Sequence, residues 1–237
     1  MKKTRIIILC GGKGERLKPI TEQIPKPMIE IDGKPILHHA LDLYSKKGFN
    51  DFILCIGYKG DLIKEYFKSN KNYNIVFKDS GENAGMLKRI YESKDLFDDT
   101  AIIAYGDTYA DIDFENLLKF HNANSSLLTI VTTPIKSPFG ITDVEEDGRV
   151  TNFKEKPVLS YYIGYFVINK EAFKHMENLD INSNESLISF FNKIIKMNKL
   201  YTYSHQGLHI TFNTKSEKKV ADNVFKYFTY GGDSNEK

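Results

Sequence analysis

Short apolar runs, rich in β-branched residues, recur along the first half of the chain. Three of them lack the alternation of a half-exposed strand, which predicts strands that are covered on both faces. They are Arg5 to Cys10, Asp51 to Ile56 and Ala101 to Tyr105. Apolar residues between these runs return with helical spacing. Strands therefore alternate with helices, which predicts an α/β fold with a doubly wound, mostly parallel sheet.

The helical pattern is clearest just before the second strand. In the predicted helix Ile36 to Lys47, one face carries Ile36, Leu37, Ala40, Leu41 and Tyr44. Further helices are predicted at Asp61 to Lys68, Ala84 to Lys94 and Asp113 to Asn124, the last with Asp113 as its cap.

After Pro134 the regular alternation of predicted strands and helices ends. A strand at Leu127 to Thr133 is followed by a predicted hairpin, in which Gly140 to Glu145 and Val150 to Lys154 flank a polar turn, and by a strand at Tyr161 to Asn169. The remaining segments predict helices at Lys170 to Glu177, Glu185 to Asn198 and Lys215 to Tyr230, with short strands near Tyr201 and His209. No linker divides the chain, so we expect a single domain over residues 1–230 and a loose tail at 231–237.

Charge and composition exclude several function classes. The chain has 33 basic and 31 acidic residues, a net charge of +2, so we expect no nucleic-acid partner. The apolar run Ile6 to Cys10 is shorter than the core of a signal peptide, about 7 to 15 residues, or a membrane helix, about 20. We therefore expect a cytoplasmic protein with no membrane partner. Cys10 and Cys55 end apolar runs without metal-ligand spacing, which predicts buried thiols.

The strongest chemical signal follows the first strand. Gly11-Gly12-Lys13-Gly14 can bring backbone N–H groups close to an anion, and Arg16 adds a permanent forked cation. Lys26 stands between two prolines, which stiffen its backbone. A simple tight turn explains the glycines, but it does not explain Arg16 and the Pro-Lys-Pro trio together. The segment is not a P-loop, and Leu17 stands where the dinucleotide fingerprint needs a third glycine.

The pattern G-G-x-G-x-R-L-x-P-x-T in Gly11 to Thr21, followed by P-K-P-M in Pro25 to Met28, resembles the signature of the sugar-phosphate nucleotidyltransferases. Within that family, several later segments are most similar to glucose-1-phosphate cytidylyltransferases: Lys34 to Leu37, Leu43 to Ser45, Gly48 to Ile53, Gly57 to Gly60, Ile63 to Phe67, Asp79 to Gly81, Gly85 with Leu87 to Arg89, and Tyr105 to Asp107. The likeness weakens beyond about residue 170.

The resemblance implies a Rossmann-like fold and transfer of a nucleoside monophosphate from a nucleoside triphosphate, CTP in these relatives, to a sugar 1-phosphate or related phosphorylated small molecule. Pyrophosphate would leave, and Mg²⁺ would hold the phosphates. Residues 1–125 would mainly bind nucleotide and residues 126–230 mainly the acceptor. Use of GTP, dTTP or UTP, a hexose, heptose or non-sugar phosphate acceptor, and a homo-oligomer all remain open.

Site roles follow from the same resemblance. Arg16 would stabilise the departing pyrophosphate, Lys26 would bind at the attacked phosphorus, and Asp107, which follows a strand, would bind Mg²⁺. The glycines expected to contact nucleotide are Gly11, Gly12, Gly14, Gly81, Gly85 and Gly106. The residues expected to contact the acceptor are Gly140, Glu155, Lys156 and Gly164.

Two departures from the family pattern bear on these roles. The segment before Gly164 is short, and Tyr162-Ile163 replaces its usual polar residues, which leaves glucose 1-phosphate open as the acceptor. Asn213 stands where the family places a second metal-binding aspartate, and an amide oxygen brings no charge to Mg²⁺. A nucleotide-binding regulator that has lost the reaction is therefore the alternative to an active enzyme.

Overall fold

A seven-stranded sheet forms the centre of the protein in a computed structural model, which describes residues 4–230 and their side chains as far as residue 227. The strands are β1 (Arg5–Leu9), β2 (Glu30–Ile31), β3 (Lys34–Pro35), β4 (Asp51–Ile56), β5 (Asn74–Asp79), β6 (Thr100–Tyr105), β7 (Thr108–Ala110), β8 (Leu128–Lys136), β9 (Ile141–Val144), β10 (Val150–Lys154), β11 (Val158–Asn169), β12 (Leu200–Ser204) and β13 (His209–Thr211). The α-helices are α1 (Ile36–Lys46), α2 (Gly60–Phe67), α3 (Met86–Glu92), α4 (Phe114–Ala123), α5 (Ser186–Lys196) and α6 (Lys215–Tyr230). Single 3₁₀ turns occur at Glu15–Leu17, Ile20–Glu22, Lys26–Met28 and Lys94–Leu96.

The strand order in the main sheet is β12-β8-β11-β6-β1-β4-β5. β1 pairs in parallel with both β4 and β6, and β4 pairs in parallel with β5. β11 runs antiparallel to its neighbours β6 and β8. The predicted α/β fold with a mostly parallel, mixed sheet is confirmed, and strands from both halves of the chain contribute to the same sheet.

The central strand β1 is buried on both faces, as its unbroken apolar run predicts. Ile6 and Ile8 pack with residues of α1, while Ile7 points to the opposite face and packs with residues of α3 and α5. The five apolar residues predicted on one face of α1 are its buried residues. Asp113 caps α4 as predicted, because its side chain accepts a hydrogen bond from the backbone N–H of Asn116 at 3.0 Å.

Three differences from the predicted elements have local reasons. The two- and three-residue strands β2, β3 and β7 were not predicted, and neither was the edge strand β5, because its mixture of exposed and half-buried positions is not a doubly covered run. The segment Lys170–Met176 is a 3₁₀ helix, where we expected a helix over Lys170 to Glu177. Elsewhere the ends of predicted elements shift by a few residues, as element boundaries commonly do.

A third apolar cluster joins the C-terminal helix to the glycine-rich segment. Phe212 and Phe225 pack there with Leu17, Ile29 and other residues of the first forty. This packing brings the start of α6 next to the 3₁₀ turn that carries Lys26. The predicted tail at 231–237 lies outside the described residues. No helix within residues 4–230 has both the length and the apolar character needed to span a bilayer.

Candidate active site

A cavity of about 590 Å³ opens at the carboxyl ends of β1 and β6. The two strands end side by side, because Leu9 is in register with Tyr105 and the N–H of Gly106 donates to the Leu9 carbonyl at 3.1 Å. The glycine-rich loop after β1 and the Gly106-Asp107 turn after β6 therefore begin next to each other. In open α/β sheets, ligands bind at such an edge, where neighbouring strands lead to connections on opposite sides.

Most of the predicted site residues come together in this cavity. Those that line it are Gly11, Gly12, Gly14, Arg16, Lys26, Gly85, Asp107, Gly164 and Asn213. The others lie outside its lining: Gly81, Gly106, Gly140, Glu155 and Lys156.

The glycine-rich loop presents backbone N–H groups that the described chain does not use. Gly14 has a φ of +61°, a left-handed conformation that favours glycine, and its carbonyl accepts hydrogen bonds from Thr21 Oγ1 and the Leu17 N–H. Within residues 4–230, no backbone–backbone hydrogen bond involves the N–H groups of Gly12, Lys13 or Gly14. Successive free N–H groups in such a loop form an anion-binding site.

Lys26 lies at the floor of the cavity and is only 8% exposed. Its Nζ is 2.5 Å from Oδ2 of Asp107 and donates to Oδ1 of Asn213 at 3.1 Å. The Phe212 ring covers the ammonium, with its centroid 5.8 Å from Nζ. A buried ammonium needs a compensating charge, and Asp107 supplies it. Three residues that are far apart in sequence thus form one compact polar group.

The start of α6 holds Asn213 in place. The backbone N–H of Asn213 donates to Oε2 of Glu217 at 2.7 Å, and the N–H of Glu217 donates to Thr214 Oγ1 at 3.2 Å. This reciprocal arrangement is close to a capping box, in which a threonine and a glutamate three residues later bind backbone N–H groups of the helix start. The Asn213 amide is therefore positioned by a helix terminus.

The oxygens of Asp107 and Asn213 are a suitable pair for a hard cation, because both already face one positive charge, that of Lys26. Mg²⁺ prefers oxygen ligands and commonly binds through one or two carboxylates together with substrate phosphates. No group of three or more His, Cys, Asp or Glu side chains within the described residues has a metal-binding arrangement. The residues present therefore fit a metal that shares its coordination with a phosphorylated ligand.

The sequence matches the family model described as nucleotidyl transferase over residues 5–210, which is most of the chain. The chain belongs to this family. It is 32% identical over 254 aligned residues to the glucose-1-phosphate cytidylyltransferase of Salmonella typhi, covering 94% of this chain and 96% of that protein. It is also 31% identical to the UTP–glucose-1-phosphate uridylyltransferase of Synechocystis sp., over 65% of this chain and 45% of that protein.

Solved structures have the same fold. A protein of Bacillus anthracis described as a glucose-1-phosphate thymidylyltransferase, in complex with sucrose, superposes with a TM-score of 0.76. The alignment covers 99% of this chain and 97% of that chain at 17% identity, so the likeness concerns the fold alone.

Arg16 is the free cation of this nucleotidyltransferase site. It is exposed at the start of the 3₁₀ turn Glu15–Leu17, lines the cavity, and has no ion pair with another described residue. Lys13, by contrast, pairs with Glu82 at 3.2 Å and donates to Asn83 Oδ1 at 3.0 Å across the cavity entrance. Arg16 is therefore the cation available to a phosphate that enters from solvent.

The cavity lining includes Tyr162 and Ile163, the residues at which the sequence departs from the family pattern. Gly164 has a φ of +83°, and a Cβ there would lie 3.0 Å from the Tyr105 ring, so the position requires glycine. Tyr105 and Tyr162 pack edge to face with ring centroids 6.0 Å apart. Tyr162 and Ile163 form part of the cavity wall beside Gly164, and their effect on which acceptor fits stays a prediction.

The predicted acceptor residues of the hairpin lie away from this wall. Glu155 and Lys156 form an exposed ion pair, with 3.8 Å between Oε1 and Nζ. A Cβ on Gly140 would lie 2.8 Å from the Phe153 ring and 3.3 Å from Oε2 of Glu155, so this glycine packs within the hairpin. Their acceptor-binding roles stay predictions.

Two of the three remaining predicted glycines, Gly85 and Gly106, have close packing partners, whereas a Cβ on Gly81 would meet nothing within 4 Å. Gly106 faces Cys10 Sγ, 2.8 Å from the position of a Cβ. A Cβ on Gly85 would lie 3.1 Å from the Ser183 carbonyl, so this side of the cavity is narrowed by the segment before α5. The contact of Gly85 with a base, which the resemblance implies, stays a prediction. Gly81 has a φ of +85°, and its carbonyl accepts from Arg89.

Several residues that line the cavity were not predicted as site residues, among them Arg89, Asn184 and His209, which carry polar or charged side chains. Arg89 is 2% exposed and follows Leu87 in α3, and a buried arginine has no signature in the local pattern. Asn184 lies in the polar segment before α5, outside the predicted helices. His209 has a buried Nε2 without a hydrogen-bond partner in the described chain, and burial, followed by the charge of His205, lowers the pKa of its imidazole.

Proposed function

We propose that the protein transfers cytidine monophosphate from CTP to the phosphate of a sugar 1-phosphate and releases pyrophosphate. The observation that carries this proposal is the Lys26 ammonium, which lies between the Asp107 carboxylate and the Asn213 amide at the floor of the cavity. CTP is supported by a relative that covers most of the chain, the Salmonella typhi cytidylyltransferase.

The reaction needs charge and position rather than a protein nucleophile. An oxygen of the acceptor phosphate attacks the α-phosphorus in line, a new P–O bond forms, and the bond between the α-phosphorus and the oxygen bridging to the β-phosphate breaks. Lys26 binds the α-phosphate and stabilises the negative charge that accumulates there. The N–H groups of Gly12 to Gly14 bind the outer phosphates, and Arg16 stabilises the departing pyrophosphate.

Asp107 and Asn213 are the residues that would hold Mg²⁺, which neutralises phosphate charge when it is bound. Asn213 would contribute a neutral oxygen, so Asp107 would be the main protein ligand. Gly164 keeps the backbone of β11 close to Tyr105 and so shapes the space for the acceptor.

Pyrophosphate release measured with ATP, CTP, GTP, UTP and dTTP, each combined with a panel of hexose and heptose 1-phosphates, tests this proposal. We expect the highest kcat/KM with CTP, and we expect Lys26→Met to lower the activity about 100- to 1000-fold, which excludes a contaminating enzyme. Preference for another nucleotide would make the assignment of CTP wrong while the transferase reaction stands. If no pair of nucleotide and acceptor releases pyrophosphate, but a thermal-shift assay shows that nucleotide binds, the protein would instead be a nucleotide-binding regulator.

A further inference from the structure

Arg89 is a buried cation whose partners are backbone carbonyls. It extends from α3 towards the carboxyl ends of β1 and β4 and is 2% exposed. Burial lowers the pKa of its guanidinium. No carboxylate within the described residues forms an ion pair with it. Burying an unpaired charge is unfavourable unless its hydrogen bonds are satisfied, so these carbonyl contacts need an explanation.

The guanidinium joins three segments that border the cavity. Nη1 donates to the Ile56 carbonyl at 2.5 Å, at the end of β4. Nη2 donates to the carbonyls of Gly11 at 3.1 Å and Gly81 at 2.9 Å, and lies 3.5 Å from the carbonyl of Glu82. The planar fork of arginine can bind several acceptors in fixed directions, which an ammonium on a flexible chain cannot do as well. One side chain thus fixes the glycine-rich loop relative to the loop after β5.

Two glycines leave room for this guanidinium. A Cβ on Gly11 would overlap Nη1 of Arg89, and a Cβ on Gly57 would lie 2.6 Å from the same atom. Gly57 lies directly after β4 and close to the Gly81 carbonyl. The backbone around Arg89 therefore leaves a space that fits the guanidinium, and a side chain at either glycine would fill part of that space.

The other side-chain contacts between these two loops in the described chain come from Lys13, which donates to Asn83 Oδ1 at 3.0 Å, and they lie at the surface. Lys13 pairs with Glu82 on the outside of the cavity, where both side chains are substantially exposed. Exposed pairs contribute little because solvent and salt screen them. The separation of the two loops therefore depends mainly on the buried contacts of Arg89.

We propose that Arg89 is a positioning residue that sets the separation of residues 11–14 and 81–85, and through it the affinity for nucleoside triphosphate and the discrimination between bases. This inference rests on the proposed function, because it assumes that these two loops enclose the nucleotide. Arg89 acts through backbone carbonyls and has no hydrogen bond or ion pair with Lys26 or Asp107, so it affects substrate binding more than the chemical step.

Steady-state kinetics of Arg89→Lys, which keeps the charge but removes the fork, tests this role. We expect KM for the preferred triphosphate to rise about 10- to 100-fold, the scale of losing a hydrogen bond to a charged group, with kcat changed by less than about threefold. The ratio of kcat/KM between the preferred and the next-best triphosphate should fall. Arg5→Lys is the matched control, because Arg5 Nη1 donates to the Leu96 carbonyl at 2.7 Å, in the loop before β6 and outside the cavity lining.

Gly57→Ala displaces the guanidinium without removing it and should reproduce the rise in KM and the loss of discrimination. If neither variant folds, amide hydrogen exchange of the wild-type protein tests the inference. CTP should then slow the exchange of residues 11–14 and of residues 81–85 together. Unchanged KM and discrimination in Arg89→Lys, a fall in kcat alone, or protection of only one loop would overturn the inference. Absence of turnover in the wild type would contradict the proposed function. The positioning role of Arg89 would then still be tested by comparing the nucleotide Kd values of the variants with that of the wild type. A wild type that binds no nucleotide overturns both.

Discussion

Replacing Lys26 with methionine is the most direct test of the site. The substitution keeps the apolar stem of the side chain but leaves the Asp107 carboxylate without the ammonium that lies 2.5 Å away. Removing one partner of a buried ion pair destabilises proteins by about 3–5 kcal/mol. The Asp107 side chain is still 25% exposed and can gain hydration, so we expect a loss near 3 kcal/mol at the lower end of that range.

The kinetic effect of Lys26→Met should have two opposite parts. Loss of the charge at the α-phosphate should lower kcat by about 100- to 1000-fold, the scale for removing one preorganised electrostatic donor. The same change frees the oxygens of Asp107 and Asn213 and removes a positive charge beside them. The Mg²⁺ concentration for half-maximal activity should therefore fall, because the metal no longer competes with the ammonium.

Pyrophosphate release with Mg²⁺ titrated at saturating CTP measures both parts, and urea denaturation measures the stability. Lys170→Met is the matched control, because Lys170 also donates to a carbonyl, that of Phe97, and lies 5.7 Å from the Phe97 ring centroid, but it does not line the cavity. The control should lose stability without a change in the Mg²⁺ requirement. A kcat of Lys26→Met within tenfold of the wild type, or an unchanged Mg²⁺ requirement, would refute the reasoning.

Three further predictions concern the metal, the glycine-rich loop and the pH dependence of stability. Asn213→Asp should lower the half-saturating Mg²⁺ concentration several-fold in the same titration, and an unchanged value would exclude Asn213 as a ligand. Gly11→Ala should destabilise the protein by about 1–3 kcal/mol in urea denaturation, because its Cβ overlaps a buried guanidinium, whereas Gly12→Ala, with nothing within 4 Å of its Cβ, should leave stability within about 0.5 kcal/mol of the wild type. Burial lowers the pKa of His121 from 6.5 to about 4. The unfolded chain therefore binds the proton more readily than the folded protein, and the stability that is present above pH 6.5 is lost as the pH falls towards 4. Between pH 7 and pH 5 this loss is about 2 kcal/mol in the wild type and should be absent in His121→Gln; equal losses in both proteins would contradict it.

Local patterns account for much of the fold. A strand covered on both faces needs apolar residues at every position, and this requirement is visible in the runs that became β1, β4 and β6. The buried face of α1 and the capping of α4 by Asp113 also depend on residues within one element. An edge strand such as β5 gives a weaker signal, because its half-exposed positions tolerate polar residues.

The candidate site was predictable where it depends on continuous motifs. The glycine-rich loop, Arg16 and Lys26 lie within one short segment, and Asp107 directly follows a recognisable strand. The likeness to the family includes Arg89, but its role was not predicted, because its environment is built by carbonyls 78, 33 and 8 residues away in sequence. Its burial is a property of the assembled loops and is absent from the pattern around α3.

The C-terminal helix belongs to the active-site architecture. The match to the family model ends at residue 210, whereas Phe212 and Asn213 both contact the Lys26 ammonium. Phe212 is fully buried in the cluster that joins α6 to the glycine-rich segment, so the same packing that attaches the helix also fixes the aromatic face beside Lys26. The Asn213 oxygen depends in turn on Glu217, which holds its backbone from the first turn of α6. A change at the start of this helix therefore alters the electrostatics at the floor of the cavity, although it lies far in sequence from the loop expected to bind phosphate.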